Sequence, residues 1–392
     1  HDLPLRITLW DGKAFDLGSD PRATIRVNGP AALRRLVNPS LATLGDAYVH
    51  GELDAEGDLS SLIDSAAHLV HLARHAGSQV SRLGQFFGGK RHSKKLDAQA
   101  IAYHYDVSND FYKLWLDDAM VYSCAYFTAD GNSLEQAQSD KIDHVLRKIR
   151  LQPGQRLLDI GCGWGALIMR AAAKYGARAT GITLSENQYE LARQRIADAG
   201  LEDRCEVLLR DYRDVQGTGT FDRITSIGMF EHVGLKNLPD YFTHVRDLLA
   251  DDGVVMNHGI TATDPDSNEV GFGAGSFIDR YVFPHGELPH ISLALKEMSA
   301  AGLEAVDVEN LRLHYAQTLH HWALRYENSE ERIRALVGDT RYRIWRVYLA
   351  GCAYAFEHAW TAIHQVVAVK AGHTGESYPL PRTREYMYSP ES

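Results

Sequence analysis

Residues Leu157 to Gly165 read Leu-Leu-Asp-Ile-Gly-Cys-Gly-Trp-Gly. An apolar run meets an acid, Asp159, and then breaks into three glycines at alternating positions, Gly161, Gly163 and Gly165. A buried strand that must turn sharply and offer its backbone to a ligand needs this pattern. Glycine accepts the turn and leaves no Cβ in the ligand's way. A helix starting near Ala166 would aim its N-terminal amides at the same ligand. The chemistry on offer is recognition of a nucleotide-like molecule. A dinucleotide fold also uses spaced glycines here, but as Gly-x-Gly-x-x-Gly. Downstream, Thr183-Leu184-Ser185-Glu186-Asn187-Gln188 supplies hydroxyls and an amide where many nucleotide sites place a ribose-binding acid. Ser185 and Gln188 also make a helix capping box, which is their other reading. In Arg210-Asp211-Tyr212-Arg213-Asp214, an acid and an aromatic suit the amino group and ring face of an adenine. Asp211 suits a plain turn equally well.

These residues need strand ends to stand on. From Arg156 the pattern predicts strand Arg156–Ile160, helix Ala166–Tyr175, strand Arg178–Gly181 and helix Glu186–Ala199. Strands Cys205–Leu209 and Arg223–Ile227, helix Tyr241–Leu249 and strand Val254–Asn257 follow. This rhythm predicts an α/β fold, Rossmann-like, with a mostly parallel sheet, helices on both faces and ligands at the carboxyl strand ends. Residues 1–85 read as a small α+β domain. Its strands are Leu5–Trp10, turning at Asp11-Gly12, and Thr24–Val27; helical periodicity runs over Ala31–Val37 and Leu59–Leu72. Residues 86–96 hold two glycines followed by four cations within six residues, which suits a solvated linker or a membrane-facing basic patch. Residues 97–392 form the third segment, a catalytic domain. Within it, Thr261–Pro289 fits no strand–helix pattern and reads as a packed, aromatic lid. A helix over Tyr342–Lys370 carries Trp345, Tyr348, Tyr354, Phe356 and Trp360, a stripe that reads as core.

A chain of 392 residues, 45% of them apolar, can bury a full core in two domains. Its net charge of −10 argues against nucleic acid and against a global attraction to anionic membrane. The four cysteines form no CxxC pair, which disfavours a disulfide scaffold or zinc ribbon and fits a reducing cytoplasm. No apolar run nears the roughly 20 residues of a membrane-spanning helix. His68, His71 and His75 form a helical stripe, but the face offers no fourth ligand, so no metal is expected.

The glycine segment resembles the first nucleotide-binding motif of S-adenosylmethionine-dependent methyltransferases. Other motifs narrow this: Ala102–Tyr112 (AYHYDVSNDFY), Tyr122–Phe127 (YSCAYF), Gly228–Gly234 (GMFEHVG), Asn257–Ile260 (NHGI) and Phe277–Pro284 (FIDRYVFP). In this order the chain resembles cyclopropane fatty acid synthases and the related mycolic acid methyltransferases, from about Asp97 to the last long helix. The leading domain resembles one found in bacterial cyclopropane synthases and missing from the mycolic acid enzymes, which favours the cyclopropane-fatty-acyl-phospholipid synthase branch.

The resemblance implies a reaction. The alkene of an unsaturated phospholipid acyl chain attacks the methyl of S-adenosylmethionine, aromatic faces shield the carbocation, and a base removes a proton from the new methyl so that the ring closes. Water must stay out. The related outcome is a methyl or methylene branch. The resemblance adds Tyr122 and Ser123 to the donor site, and implies that the Thr261–Pro289 lid lines an acyl chain and that part of the Tyr342–Lys370 stripe walls its channel. It implies a bicarbonate base held by Cys124, Glu231, His258, the backbone of Ile260, and Tyr315. Cys352 matches a family position once proposed as catalytic, but its apolar helical setting favours a buried structural thiol. Read singly, each residue is ordinary: Cys124 a core residue, His258 a strand-end histidine, Glu231 a helix-entry acid, Tyr315 one of 19 tyrosines. Their joint occurrence, in order, is the signal. The resemblance also implies a homodimer, cytoplasmic and peripheral to the inner face of the membrane.

Overall fold

The computed structural model describes residues 3–33, 35, 39–57, 59–76, 107–266, 274–283, 286–375 and 377–388. The expected linker 86–96, the motif up to Asp106, Gly271–Gly273, Pro284 and the side chains of His71 and His75 lie outside the described residues. The chain forms two compact units. One comprises residues 1–90, 269–284 and 319–360; the other comprises 91–268, 285–318 and 361–392. The first unit is therefore discontinuous, and takes in later segments as well as the leading α+β module.

In the first unit, β1 (Leu5–Thr8), β2 (Ala14–Asp16), β3 (Ala23–Val27) and β4 (Leu53–Gly57) form a sheet in the order β2-β1-β3-β4. The first two make an antiparallel hairpin about Asp11-Gly12, with Gly12 at φ 86. β1 and β3 are parallel, and β3 and β4 antiparallel. Leu5, Ile25, Val27 and Leu53 pack under the Leu41–Val49 and Leu59–Ala76 helices, through Leu44, Ala47, Leu62 and Val70. Of the expected Ala31–Val37 helix, the described start is a 3-10 turn over Pro30–Ala32. β4 escapes a pattern search because Asp54 and Glu56 break its apolar run, as charges often do near sheet edges.

The later segments are tied in by charge and ring packing. Arg343 pairs with Asp54 at 2.7 Å, Arg346 donates to the Tyr48 hydroxyl at 3.0 Å, and Arg280 pairs with Asp46 at 2.7 Å. Helix Ala274–Tyr281, inside the segment expected to be irregular, lays Phe277 against Gly45. A Cβ on Gly45 would sit 2.8 Å from that ring. Gly45→Ala should therefore destabilise the chain by about 1 kcal/mol or more, although alanine is the better helix former by about that amount. The thermal unfolding midpoint checks it, and a rise would contradict the packing.

The expected Tyr342–Lys370 helix is corrected. The helix spans Glu330–Glu357, bent at Gly338 (φ 78), and residues Thr361–Lys370 form a strand. Trp360 consequently lies beyond the helix, after Ala359 at φ 58. Five of the ten strand residues are β-branched, and the strand is buried on both faces. Such a run lacks alternation and mimics a buried helix. Trp345, Tyr348 and Phe356 are buried core side chains of the helix.

The second unit holds β5 (Arg156–Ile160), β6 (Arg178–Thr183), β7 (Cys205–Leu209), β8 (Phe221–Ile227), β9 (Leu249–Ala262), β10 (Leu303–Asn310) and β11 (Thr361–Lys370). They form one sheet in the order β10-β11-β9-β8-β5-β6-β7. β5 through β9 pair in parallel, and β11 runs antiparallel to both β9 and β10. This is the Rossmann-like α/β architecture expected. Alternation sorts the strands between two cores. Leu157, Ala179, Val254, Met256 and Val367 pack under helices Leu134–Lys148, Ala166–Tyr175 and Glu186–Asp198. Leu158, Ile182, Ile224, Val255 and Val366 pack under helices Leu238–Leu248 and Ile291–Ala300.

Candidate active site

The parallel strands end at one cavity in the second unit. β5 delivers Asp159 and then the three glycines, all left-handed: Gly161 at φ 80, Gly163 at φ 55 and Gly165 at φ 85. Their surroundings differ. A Cβ on Gly161 would press on Met229 at 3.2 Å, and one on Gly165 on Ala192 at 3.3 Å. A Cβ on Gly163, which lines the cavity, meets no protein atom within 4 Å. Two glycines thus serve the turn and its packing, and one leaves room for a guest.

Of the twelve residues expected around the donor, the cavity is lined by Tyr122, Ser123, Asp159, Gly161, Gly163, Thr183, Leu184, Gln188, Asp211 and Tyr212. Gly165 and Ser185 stand behind it. Gly165 begins the Ala166–Tyr175 helix, and the Ser185 hydroxyl accepts from the Gln188 amide at 3.3 Å, the capping role foreseen. Thr183 donates to the Gln188 side chain at 2.7 Å. Asp211 accepts from both the backbone and the guanidinium of Arg213, at 2.9 and 2.6 Å, so its turn-forming role is real in this structure. The Arg213 guanidinium lies 5.4 Å from the Tyr212 ring centre. Aromatic faces complete the wall: Tyr122 packs 5.3 Å from Trp115 and 5.7 Å from Tyr112, which packs 5.0 Å from Trp164.

Sequence reasoning missed Lys141. It lines the cavity from the Leu134–Lys148 helix and is wholly buried, with Nζ donating to the Ser123 hydroxyl at 2.8 Å. Burial lowers its pKa to about 8. Asp159, which accepts from Thr225 at 2.7 Å, is pushed up to about 6 by burial. The helix reads as a surface element because it is polar, yet Gln138, Lys141, Asp143, His144 and Lys148 are all buried.

A second cluster adjoins the first. Gly228, Met229 and His232 line the cavity. Glu231, in the same turn, bonds instead to the Ile260 amide through Oε1 at 2.7 Å. Register carries the cluster onward. Ile260 on β9 faces Ile363 on β11, whose carbonyl accepts from Leu311 at 2.9 Å. The Leu311 carbonyl lies 3.8 Å from the Cys124 sulfur and accepts the Tyr315 amide one helical turn on. His258, two residues before Ile260 and so on the same face of β9, faces Gln365. Backbone pairing thus links the strands and the helix start that carry these five residues, but the Ile260 N–H, expected to face the anion, is given to Glu231 instead.

Glu231 Oε2 and His258 Nε2 are buried and have no hydrogen-bond partner among the described residues. Burial pushes Glu231 up to about 7 and holds His258 well below its usual range, with Lys141 and Lys148 adding to the shift. Burial also pushes the Cys124 thiol up, and it stays protonated near neutral pH. Cys352 is elsewhere, on the Glu330–Glu357 helix of the first unit, its thiol pushed up to about 12 by burial. Among the described residues, no group of three or more His, Cys, Asp and Glu is placed to hold a metal.

Residues 92–366 match the family described as mycolic acid cyclopropane synthetase, and residues 1–73 match a domain of unknown function. The chain is 51% identical to a probable fatty acid methyltransferase of Pseudomonas putida, over 98% of this chain and 96% of that protein. It is 38% identical to cyclopropane mycolic acid synthase 1 of Mycobacterium tuberculosis, over 68% of this chain and 95% of that one. The structure of the cyclopropane synthase MmaA2 from Mycobacterium tuberculosis matches with a TM-score of 0.66 at 35% identity, covering 71% of this chain and 99% of that one. A mycolic acid cyclopropane synthase, CmaA1, solved with SAH and CTAB, also matches at 0.66, with 37% identity over 70% and 98% of the two chains.

Proposed function

Because the chain belongs to the mycolic acid cyclopropane synthetase family, we propose that it uses S-adenosylmethionine to convert the cis double bond of a phospholipid acyl chain into a cyclopropane ring. The observation that carries this reading is two buried atoms without a partner among the described residues, Glu231 Oε2 and His258 Nε2, with Glu231 in the turn whose neighbours line a glycine-floored cavity. A bicarbonate ion suits that pair. Its hydroxyl can donate to a carboxylate, and its remaining oxygens can accept from an imidazole N–H, a thiol and a phenol. When bound, S-adenosylmethionine supplies an electrophilic methyl and bicarbonate supplies a base.

The chain's own residues do the rest. The Ile260 amide holds Glu231 Oε1, so Oε2 keeps a fixed direction. Gly163 lets the donor approach the backbone. Tyr122 and Trp164 give the cavity aromatic faces that steady positive charge without capturing it. Burial around Cys124, Glu231 and His258 excludes water that would trap a cation. The proposed partner is a bilayer phospholipid met at the membrane surface. Among the described residues no helix is long and apolar enough to cross a membrane.

Glu231 must be ionised to accept a hydroxyl proton, and burial pushes its pKa up to about 7. Turnover at constant bicarbonate ion should therefore rise as pH increases through about 7. The pH–rate profile should lose that limb in Glu231→Gln; an unchanged limb in the variant would assign it to another group.

A second reading has its own support. Relatives covering nearly all of this chain include the probable fatty acid methyltransferase above, and at 35% identity a tuberculostearic acid methyltransferase of Mycobacterium tuberculosis. The product would then be a methyl or methylene branch. Purified protein, S-adenosylmethionine and vesicles of a monounsaturated phospholipid separate the two. Cyclopropanation adds one CH2 per acyl chain and removes the double bond; an exocyclic or retained alkene contradicts it.

A further inference from the structure

The two ring nitrogens of His258 have different neighbours. Nδ1 lies 3.2 Å from the side-chain amide nitrogen of Gln365, and Nε2 is buried without a partner among the described residues. The sheet fixes this pairing, because His258 on β9 stands opposite Gln365 on β11 in an antiparallel register. Both side chains are fully buried. Burial, with Lys141 and Lys148 nearby, keeps the imidazole neutral near pH 7. A neutral imidazole carries one N–H, and the neighbour of one nitrogen decides which nitrogen bears it. An amide N–H can only donate, so the nitrogen it meets is the acceptor.

We infer that Gln365 is a positioning residue: its amide donates to His258 Nδ1, holds the imidazole as the Nε2–H tautomer, and so makes Nε2 the donor that the proposed bicarbonate site requires. This rests on the reading of that pocket as an anion site. The consequence is an ordered pair, with Glu231 accepting and His258 donating. A hydrogen carbonate then has one preferred orientation, its hydroxyl to the carboxylate and a charged oxygen to the imidazole. With the other tautomer, Nε2 and Glu231 would present two acceptors to one anion.

The test uses the full chain labelled with 15N-histidine, the His258 signals being identified by their loss in His258→Gln. The wild-type spectrum should show Nε2 protonated and Nδ1 bare. In Gln365→Glu a carboxylate faces Nδ1, and a proton should appear there. Gln365→Met removes the donor at similar volume. It should raise the bicarbonate concentration for half-maximal turnover by about five- to tenfold, the worth of one such bond. Most turnover should return at saturating bicarbonate, and the S-adenosylmethionine dissociation constant should hold. A wild-type proton on Nδ1, or an unaltered bicarbonate response in Gln365→Met, overturns the inference. Wild-type turnover indifferent to bicarbonate would instead overturn the reading of the pocket, while the spectrum would still decide the tautomer.

Discussion

Glu231→Gln should lower turnover by about a hundredfold, the scale of losing a hydrogen bond to a charged group, while barely changing the affinity for S-adenosylmethionine. The geometry leaves the amide no comfortable pose. If its oxygen keeps the 2.7 Å bond to the Ile260 amide, its NH2 replaces Oε2 and faces the bicarbonate hydroxyl, donor against donor. If it turns over, the NH2 faces the Ile260 N–H instead. Donor affinity is spared because the cavity is lined by Gly228, Met229 and His232 around Glu231, and not by Glu231 itself. Steady-state rates with lipid, set beside calorimetric binding of S-adenosylmethionine, check both halves. A large loss of affinity would place Glu231 in the donor site and contradict the division of labour.

Gly163→Val should weaken S-adenosylmethionine binding by about ten- to a hundredfold and leave a folded protein. The left-handed backbone at φ 55 costs an L-residue about 1–2 kcal/mol, which a domain of this size tolerates. Apart from its chain neighbours, no atom of the described residues lies within 4 Å of the added Cβ, so the branched side chain fills cavity instead of core. Filling a close-fitting site costs a further 1–3 kcal/mol or so in lost contact. Equilibrium binding and thermal unfolding together test this. Near wild-type affinity in a folded variant would mean that the donor lies elsewhere.

The strand–helix alternation from Arg156 to Leu249 is legible because each strand ends in a turn signal and the Glu186–Asp198 helix announces itself with a cap at Ser185. The strand over Thr361–Lys370 is not, since a strand covered on both faces loses its alternation. That misreading had a cost at the site: Gln365, which meets His258, sits on the strand mistaken for helix. Lys141 was hidden for the opposite reason, a charged residue on a polar helix that tertiary packing buries completely. Cys124, Glu231, His258 and Tyr315 were legible only as a set carried by family resemblance. What links them is strand register and a helix start, and neither is written in local periodicity.

The fate of one hydrogen decides the chemistry. Given S-adenosylmethionine with a fully deuterated methyl group and a monounsaturated phospholipid, the enzyme should return saturated acyl chains carrying a CD2 ring carbon, one deuterium having passed to the base held at Glu231 and His258. Acyl chains that keep all three deuteriums would show that no base strips the transferred carbon, and the chemistry assigned to that pocket would be wrong.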